Sequence, residues 1–168
     1  IVDLAARHGD ITFLLAGGEP SDIARLQALA ANRRLDNLLL TGFIPNADLP
    51  LYQAASDVLL MPYQKHVAAS SGGDIAASLS PMKLFEYLAC GRAILSSDLP
   101  VLREVLNPDN AVLLDAEDFE GWSTALRLLQ NDAQLRAKLG EHARRDAALY
   151  TWEARARAIL AGLETLHA

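Results

Sequence analysis

The stretch "ITFLLAGGEPSDIARLQALAANRRLDNLLLTGF", residues 11–43, reads as strand, turn, helix and strand in succession. Residues 11–18 form a continuous apolar run that ends in Gly17-Gly18. Such a run suits a strand with both faces covered, where the alternation of a half-exposed strand is lost. Residues 19–34 begin with a proline and acids and end in Arg33-Arg34, the boundary signals of a helix. "DNLLLTGF" (36–43) is a second strand of the same apolar kind. Strand, helix and strand in series are the repeating unit of a parallel sheet.

The same alternation continues along the chain. "ADLPLYQAAS" (47–56) predicts a short helix and "DVLLMPY" (57–63) a third strand. Residues 64–80 are rich in Ser, Ala and Gly without periodicity, which predicts a mobile loop. A helix at 81–90, a strand at 92–98, a short helix at 100–106 and a last strand at 110–115 follow. From Phe119 onward the pattern is helical. The expected fold is therefore α/β: a Rossmann-like, mainly parallel sheet with helices on both faces and a helical carboxyl end. No repeat, low-complexity tract or internal linker interrupts it.

Size and charge agree with one globular domain. The chain has 168 residues, 51% hydrophobic and 21% charged, with a formal net charge of −6. Those proportions speak against disorder, and the negative charge disfavours nucleic acid or an acidic membrane surface as the main partner. The single cysteine, Cys90, excludes an internal disulfide and a cysteine-based zinc site, and its small apolar neighbours predict a buried, inert thiol. The four histidines (His8, His66, His142, His167) lack metal-ligand spacing, so no metal is expected. His66 reads as a solvated loop residue. No signal peptide is evident and no apolar stretch is long enough to cross a bilayer, which points to the cytoplasm. The chain opens with Ile1 inside a helical pattern, which suggests a piece of something longer.

In open parallel sheets, ligands bind beyond the carboxyl ends of the strands. The strand exits here are Gly17-Gly18, Gly42 to Pro45, Pro62-Tyr63 and Ser96-Ser97-Asp98. The loop at 64–80 also leaves one of them and leads into "SPMKLFEYLACGR" (80–92). In that segment Ser80 suits the N-cap, Pro81 the first helical position, and Gly91 the left-handed residue that ends a helix. Leu84, Phe85, Leu88 and Ala89 form one apolar face. Lys83 stands in the first turn, where the helix dipole disfavours a cation. An exposed ion pair with Glu86, three positions on, is one explanation. The other is an anion site: free N–H groups, the dipole and the Lys83 ammonium converging on a diphosphate, with Glu86 accepting hydrogen bonds from ribose hydroxyls.

"SPMKLFEYLACGRAILSSDLPVLREVL" resembles the nucleotide-sugar-binding segment of GT-B glycosyltransferases, specifically the family 4 retaining enzymes (glycosyl transferases group 1). "FLLAGGEP", "LLLTGFIPNADLPLYQAASDVLLMPY" and "YTWEARARAIL" occur in the order found in that family's carboxyl-terminal domain, so the resemblance spans nearly the whole chain. It implies a donor-binding domain, residues 1–168, of an enzyme that transfers a sugar from a nucleotide-diphosphate-sugar to an acceptor with retained configuration. It implies no required cofactor. By the same resemblance, Glu86 binds the ribose, and backbone N–H groups around Met82 and Leu84, with Ser80 and Lys83 beside them, face the diphosphate and sugar. Gly17 and Gly18 let the nucleotide approach the backbone, and the stretch holding Phe43 and Ile44 holds the base. Taken as residues, Gly17-Gly18 also fit a plain strand-to-helix turn, and Phe43 and Ile44 fit core packing.

Two departures from the family pattern stand out. The glutamate that the family often carries eight positions before the one matching Glu86 is replaced by Ser78, and Asp74 could substitute only if its loop folded inward. Ile1 also begins after the family's first strand and its Gly-Arg…Lys-Gly stretch, and after the amino-terminal domain that binds the acceptor. The isolated chain is therefore expected to bind nucleotide weakly and to turn nothing over, with any peripheral membrane contact made through the missing domain. A catalytically inactive nucleotide-sugar-binding or scaffolding module and a GT-B-type nucleotide-sugar epimerase are the alternative readings.

Overall fold

The computed structural model describes residues 1–65 and 82–166, with side chains described as far as residue 162. His66, Asp74, Ser78, Ser80, Pro81 and His167 lie outside the described residues.

Twelve main elements follow in chain order: α1 (Val2–Arg7), β1 (Phe13–Ala16), α2 (Pro20–Asn32), β2 (Leu38–Gly42), α3 (Leu49–Ala55), β3 (Val58–Met61), α4 (Met82–Cys90), β4 (Ala93–Ser97), β5 (Val112–Leu114), α5 (Phe119–Asn131), α6 (Ala133–Ala147) and α7 (Trp152–Leu166). The short helix expected at 100–106 is a single 3-10 turn, Leu102–Glu104. Every strand pairing is parallel, as the apolar runs require. The expected sheet is divided, however: β1 pairs with β2, and β3, β4 and β5 form a separate three-stranded sheet.

β4 is covered on both faces, whereas β1 and β2, whose apolar runs predict the same, leave Leu14 38% and Leu39 50% exposed. β4 is buried at all five positions, with Ala93 and Leu95 in one apolar cluster and Ile94 in the other. The first cluster brings Leu4 of α1 and Trp122, Leu126 and Leu129 of α5 against Phe13 and Leu38. The second sets Leu84 and Leu88 of α4 and Ala143 of α6 against Met61 and Ile94. A strand covered on two sides has no solvent face to code, and even its two polar residues, Ser96 and Ser97, are fully buried.

Several polar side chains tie these layers together. Asn37 donates from Nδ2 to the carbonyls of Ala5, His8 and Ile11, fixing the α1–β1 connection beneath β2. Asp118 and Asp132 cap α5 and α6 by accepting from the N–H groups of Gly121 and Leu135.

Helix α4 ends as its sequence predicts. Gly91 has φ +68°, and its N–H donates to Leu88 O at 3.1 Å. There α4 meets α6 at a glycine contact: a Cβ on Gly140 would lie 2.3 Å from the Gly91 carbonyl oxygen. Two corrections concern this helix. Ala89 is exposed instead of sharing the apolar face, and Tyr87 is half-buried in its place, because it packs against the cluster that holds Leu84 and Leu88. Cys90 is half-buried, not enclosed.

Candidate functional site

A cavity of about 940 Å³ opens at the carboxyl ends of β1 and β3 and runs down between those strands. Its rim is built from β1's exit (Gly17, Gly18), β3's exit (Pro62), α3 (Tyr52, Gln53) and α4 (Lys83, Tyr87). Four separate parts of the chain thus converge where a parallel sheet presents its ligand site.

Gly17 and Gly18 have φ of +100° and +107°, which side-chain-bearing residues rarely adopt. The Gly17 N–H donates to Gly42 O at 2.8 Å, which locks the β1 exit to the β2 exit. A Cβ on Gly17 would meet nothing within 4 Å, so the space above this turn is open. The turn is more than a tight connection: it is one wall of the cavity. Phe43, just beyond Gly42, is 82% exposed, which removes core packing as its role. Ile44 is half-buried. Neither lines the cavity.

On α4 the structure separates the two residues that the sequence left as a candidate pair. Lys83 and Glu86 do not form an ion pair among the described residues. The Lys83 ammonium lies over the Tyr63 ring, 4.6 Å from its centroid. Glu86 is exposed and accepts from Gln53 Nε2 of α3 at 3.2 Å. Burial pushes the Lys83 ammonium below the ordinary lysine range, and it pushes the Tyr63 and Tyr87 phenols up. Among the described residues Lys83 is therefore a partly desolvated cation without a carboxylate, in a helix's first turn, facing a cavity. Met82 is 65% exposed at the helix tip, whereas the Leu84 side chain is buried and leaves only its backbone to face outward.

Surrounding contacts hold the rim in place. The Ser97 hydroxyl donates to Tyr63 O at 2.6 Å, which fixes the residue under Lys83. Lys65 bridges to Asp115 (3.0 Å) and Glu117 (3.2 Å), joining the exits of β3 and β5, and those carboxylates raise its pKa. Arg103 engages both carboxylate oxygens of Asp98 and holds that acid below its usual range. Among the described residues no cluster of three or more His, Cys, Asp or Glu is arranged to hold a metal ion.

The sequence had flagged Tyr63 as a strand exit but missed Gln53 and Tyr87. Tyr87 had a signal, since it is four positions from Lys83 and shares its flank. Gln53 had none, because its approach to Glu86 depends on how α3 packs on α4.

Residues 1–146 match the family described as Glycosyl transferases group 1. The chain belongs to that family. It is 30% identical over 166 residues to the phosphatidyl-myo-inositol mannosyltransferase of Mycolicibacterium smegmatis, a match covering 97% of this chain and 39% of that protein. Over 62 residues it is 39% identical to the 2-deoxystreptamine glucosyltransferase of Streptomyces kanamyceticus, covering 37% of this chain and 16% of that protein. The family's GT-B fold is seen in two solved structures. Sucrose-phosphate synthase from Thermosynechococcus elongatus superposes with a TM-score of 0.76 at 22% identity, over 99% of this chain and 41% of that one. Anabaena HepE in complex with UDP gives 0.79 at 17% identity, over 98% and 44%. The chain thus spans between 16% and 44% of the length of these four proteins. No described helix is long and apolar enough to cross a membrane.

Proposed function

We propose that residues 1–168 are the donor-binding domain of a retaining glycosyltransferase, holding a nucleotide-diphosphate-sugar at the carboxyl rim of the two sheets. The observation that carries this reading is the convergence of Gly17, Gly18 and Lys83 on one cavity, with a desolvated ammonium at a helix tip and no carboxylate among the described residues to neutralise it. A diphosphate supplies the missing countercharge. The N–H groups of the first helical turn, around Met82 and Leu84, point the same way and add hydrogen bonds.

Glu86 lies one turn further along α4, where its carboxylate accepts from ribose hydroxyls and Gln53 holds it in position. The exposed ring of Phe43 and its neighbour Ile44 flank the base, near the Gly17–Gly42 junction. HepE, of the same fold, was solved with UDP, which supports a nucleotide donor of this class.

In transfer, negative charge builds on the leaving diphosphate as its bond to the sugar breaks. Lys83 and the helix end stabilise that charge without reorganising, the electrostatic form of catalysis. The diphosphate is met by these groups in our reading, with no required cofactor. The acceptor binds through an amino-terminal domain outside this chain, so the 168-residue chain alone binds donor weakly and does not turn over.

Calorimetric titration of the chain with UDP-, GDP-, ADP- and dTDP-sugars tests the proposal. Saturable binding of at least one is expected, and binding of none contradicts it. Measured turnover by the chain alone would overturn its assignment as an inactive half-site.

A further inference from the structure

Consecutive residues of α3 tie that helix to α4. Gln53 Nε2 donates to Glu86 Oε2 at 3.2 Å, and the Ala54 carbonyl accepts from Arg92 Nη2 at 2.5 Å, just beyond the end of α4. The Ser56 hydroxyl donates to Tyr52 O at 2.9 Å and closes the turn that carries both contacts. Gln53 therefore stands on a fixed backbone beside Glu86. The two side chains differ in what they face. Gln53 is half-buried and lines the cavity, whereas Glu86 is exposed and lies outside the lining. A molecule in the cavity meets Gln53 first.

The carboxylate decides which end of the Gln53 amide is which. An ionised carboxylate only accepts, so the amide presents an N–H to it, and the carbonyl end of the amide diverges from that N–H. Gln53 Oε1 is turned away from Glu86 and has no donor on it among the described residues. Glu86 Oε1 is likewise without a donor among them. A free glutamine offers either end of its amide to a ligand; this one is committed to accepting. That commitment lasts only while Glu86 takes the N–H.

We infer that Gln53 contacts the donor's ribose directly and forms, with Glu86, a two-acceptor reader of neighbouring hydroxyls that selects nucleotides with an intact ribose. The inference rests on the reading above, in which Glu86 accepts from the ribose. It adds the residue on the cavity side and a substrate class: ribonucleoside diphosphates are favoured and their 2′-deoxy counterparts are selected against. Each of two adjacent hydroxyls brings one O–H, and the pair supplies one oxygen to each. A site built to hydrogen-bond a hydroxyl rejects the analogue that lacks it, because the site's own polar group is left unpaired.

Calorimetric titration of wild type, Gln53→Leu and Gln53→Glu with UDP, 2′-deoxy-UDP and 3′-deoxy-UDP tests this inference. Wild type is expected to bind each deoxy form at least about fivefold more weakly than UDP, the worth of one hydrogen bond. Gln53→Leu removes both polar ends of the amide and is expected to lose one of these two preferences while keeping the other. Gln53→Glu sets two carboxylates side by side, and they share a proton only in mildly acidic solution. Its preference for UDP over the deoxy forms is therefore expected to return as pH falls from about 8 to about 5, a profile that wild type lacks. A residue that merely packs α3 on α4 would give no such profile. Gln53→Leu that kept both preferences would overturn the inference and leave Glu86 as the ribose contact. Loss of both would overturn it too, by making Gln53 only the holder of Glu86. Equal binding of all three nucleotides by wild type would remove the ribose reading itself, and this inference with it.

Discussion

The ammonium of Lys83 stands 4.6 Å from the ring centroid of Tyr63, while Glu86, three positions along the same helix, is held by Gln53 instead. The two charged residues of α4 are thus kept apart: Lys83 lines the cavity, while Glu86 lies outside its lining and is bonded to Gln53 of the rim. A ring face stabilises an ammonium by about 0.5–1 kcal/mol at exposed sites and does not neutralise it. The cation stays available to an anion.

Replacement of Lys83 by Met tests that role. The change removes a desolvated charge that the dipole disfavours and keeps an apolar stem on Tyr63, so thermal stability of the unliganded chain is expected to stay level or rise. Affinity for a nucleoside diphosphate is expected to fall about tenfold or more, the worth of one charge-assisted contact. Calorimetry and thermal melting on the same variant read both. A parallel loss of stability and affinity would mean that Lys83 is structural.

Gly17→Ala separates backbone geometry from space. No atom blocks the new methyl, yet φ of +100° strains it, so a loss of about 1 kcal/mol or more is expected in urea unfolding. Nucleotide affinity should fall as well, because the methyl projects into the open space above the turn. Unchanged affinity with reduced stability would remove Gly17 from the site and leave it a turn residue.

Gly140→Ala carries a sign that helix propensity alone would miss. Inside a helix the substitution ordinarily stabilises by about 1 kcal/mol. Here the added Cβ would lie 2.3 Å from the Gly91 carbonyl oxygen, so α4 and α6 must separate. The expected outcome is destabilisation by about 1–3 kcal/mol, read from denaturant midpoints. Because α4 carries Lys83 and Glu86, nucleotide affinity should weaken in the same variant.

His8 sets a pH dependence. It is buried in α1's carboxyl end with Nε2 2.8 Å from Ser123 Oγ, and burial, with help from Arg127, holds its pKa below 6.5. The folded state binds the proton less tightly than the unfolded one, so this stability is fully present above pH 6.5 and is lost as pH falls from 6.5 toward the folded value. Melting temperature should therefore decline between pH 7 and pH 5, above the range where carboxylates such as Asp10 titrate. His8→Asn should melt lower overall with a flatter slope in that interval. An unaltered slope would assign the dependence to another group.

Much of this was legible from local pattern. Gly91 foretold the end of α4, because a helix end is set by neighbours in sequence, whereas the apolar run of β1 foretold two covered faces and the strand leaves Leu14 38% exposed. The partner of Lys83 was not legible. Spacing favoured Glu86, but Tyr63 reaches Lys83 from another strand's exit, twenty positions away, and no periodicity encodes that approach. Phe43 was open between base contact and core packing, and only the direction of the turn after Gly42 exposes the ring. The division into two sheets was equally hidden, since apolar runs identify strands without saying which edges pair.

The central claim is that one helix presents Lys83 to phosphate and Glu86 to ribose. Its most direct test compares the affinities of wild type and Glu86→Ala for the best-bound nucleoside diphosphate and for its 2′,3′-dideoxy counterpart. Hydrogen bonds to a charged group are worth about 1.5–3 kcal/mol, so wild type should prefer the ribose form by about tenfold or more. The account predicts that Glu86→Ala abolishes this preference while both forms still bind through the diphosphate. A preference that survives in Glu86→Ala would contradict it.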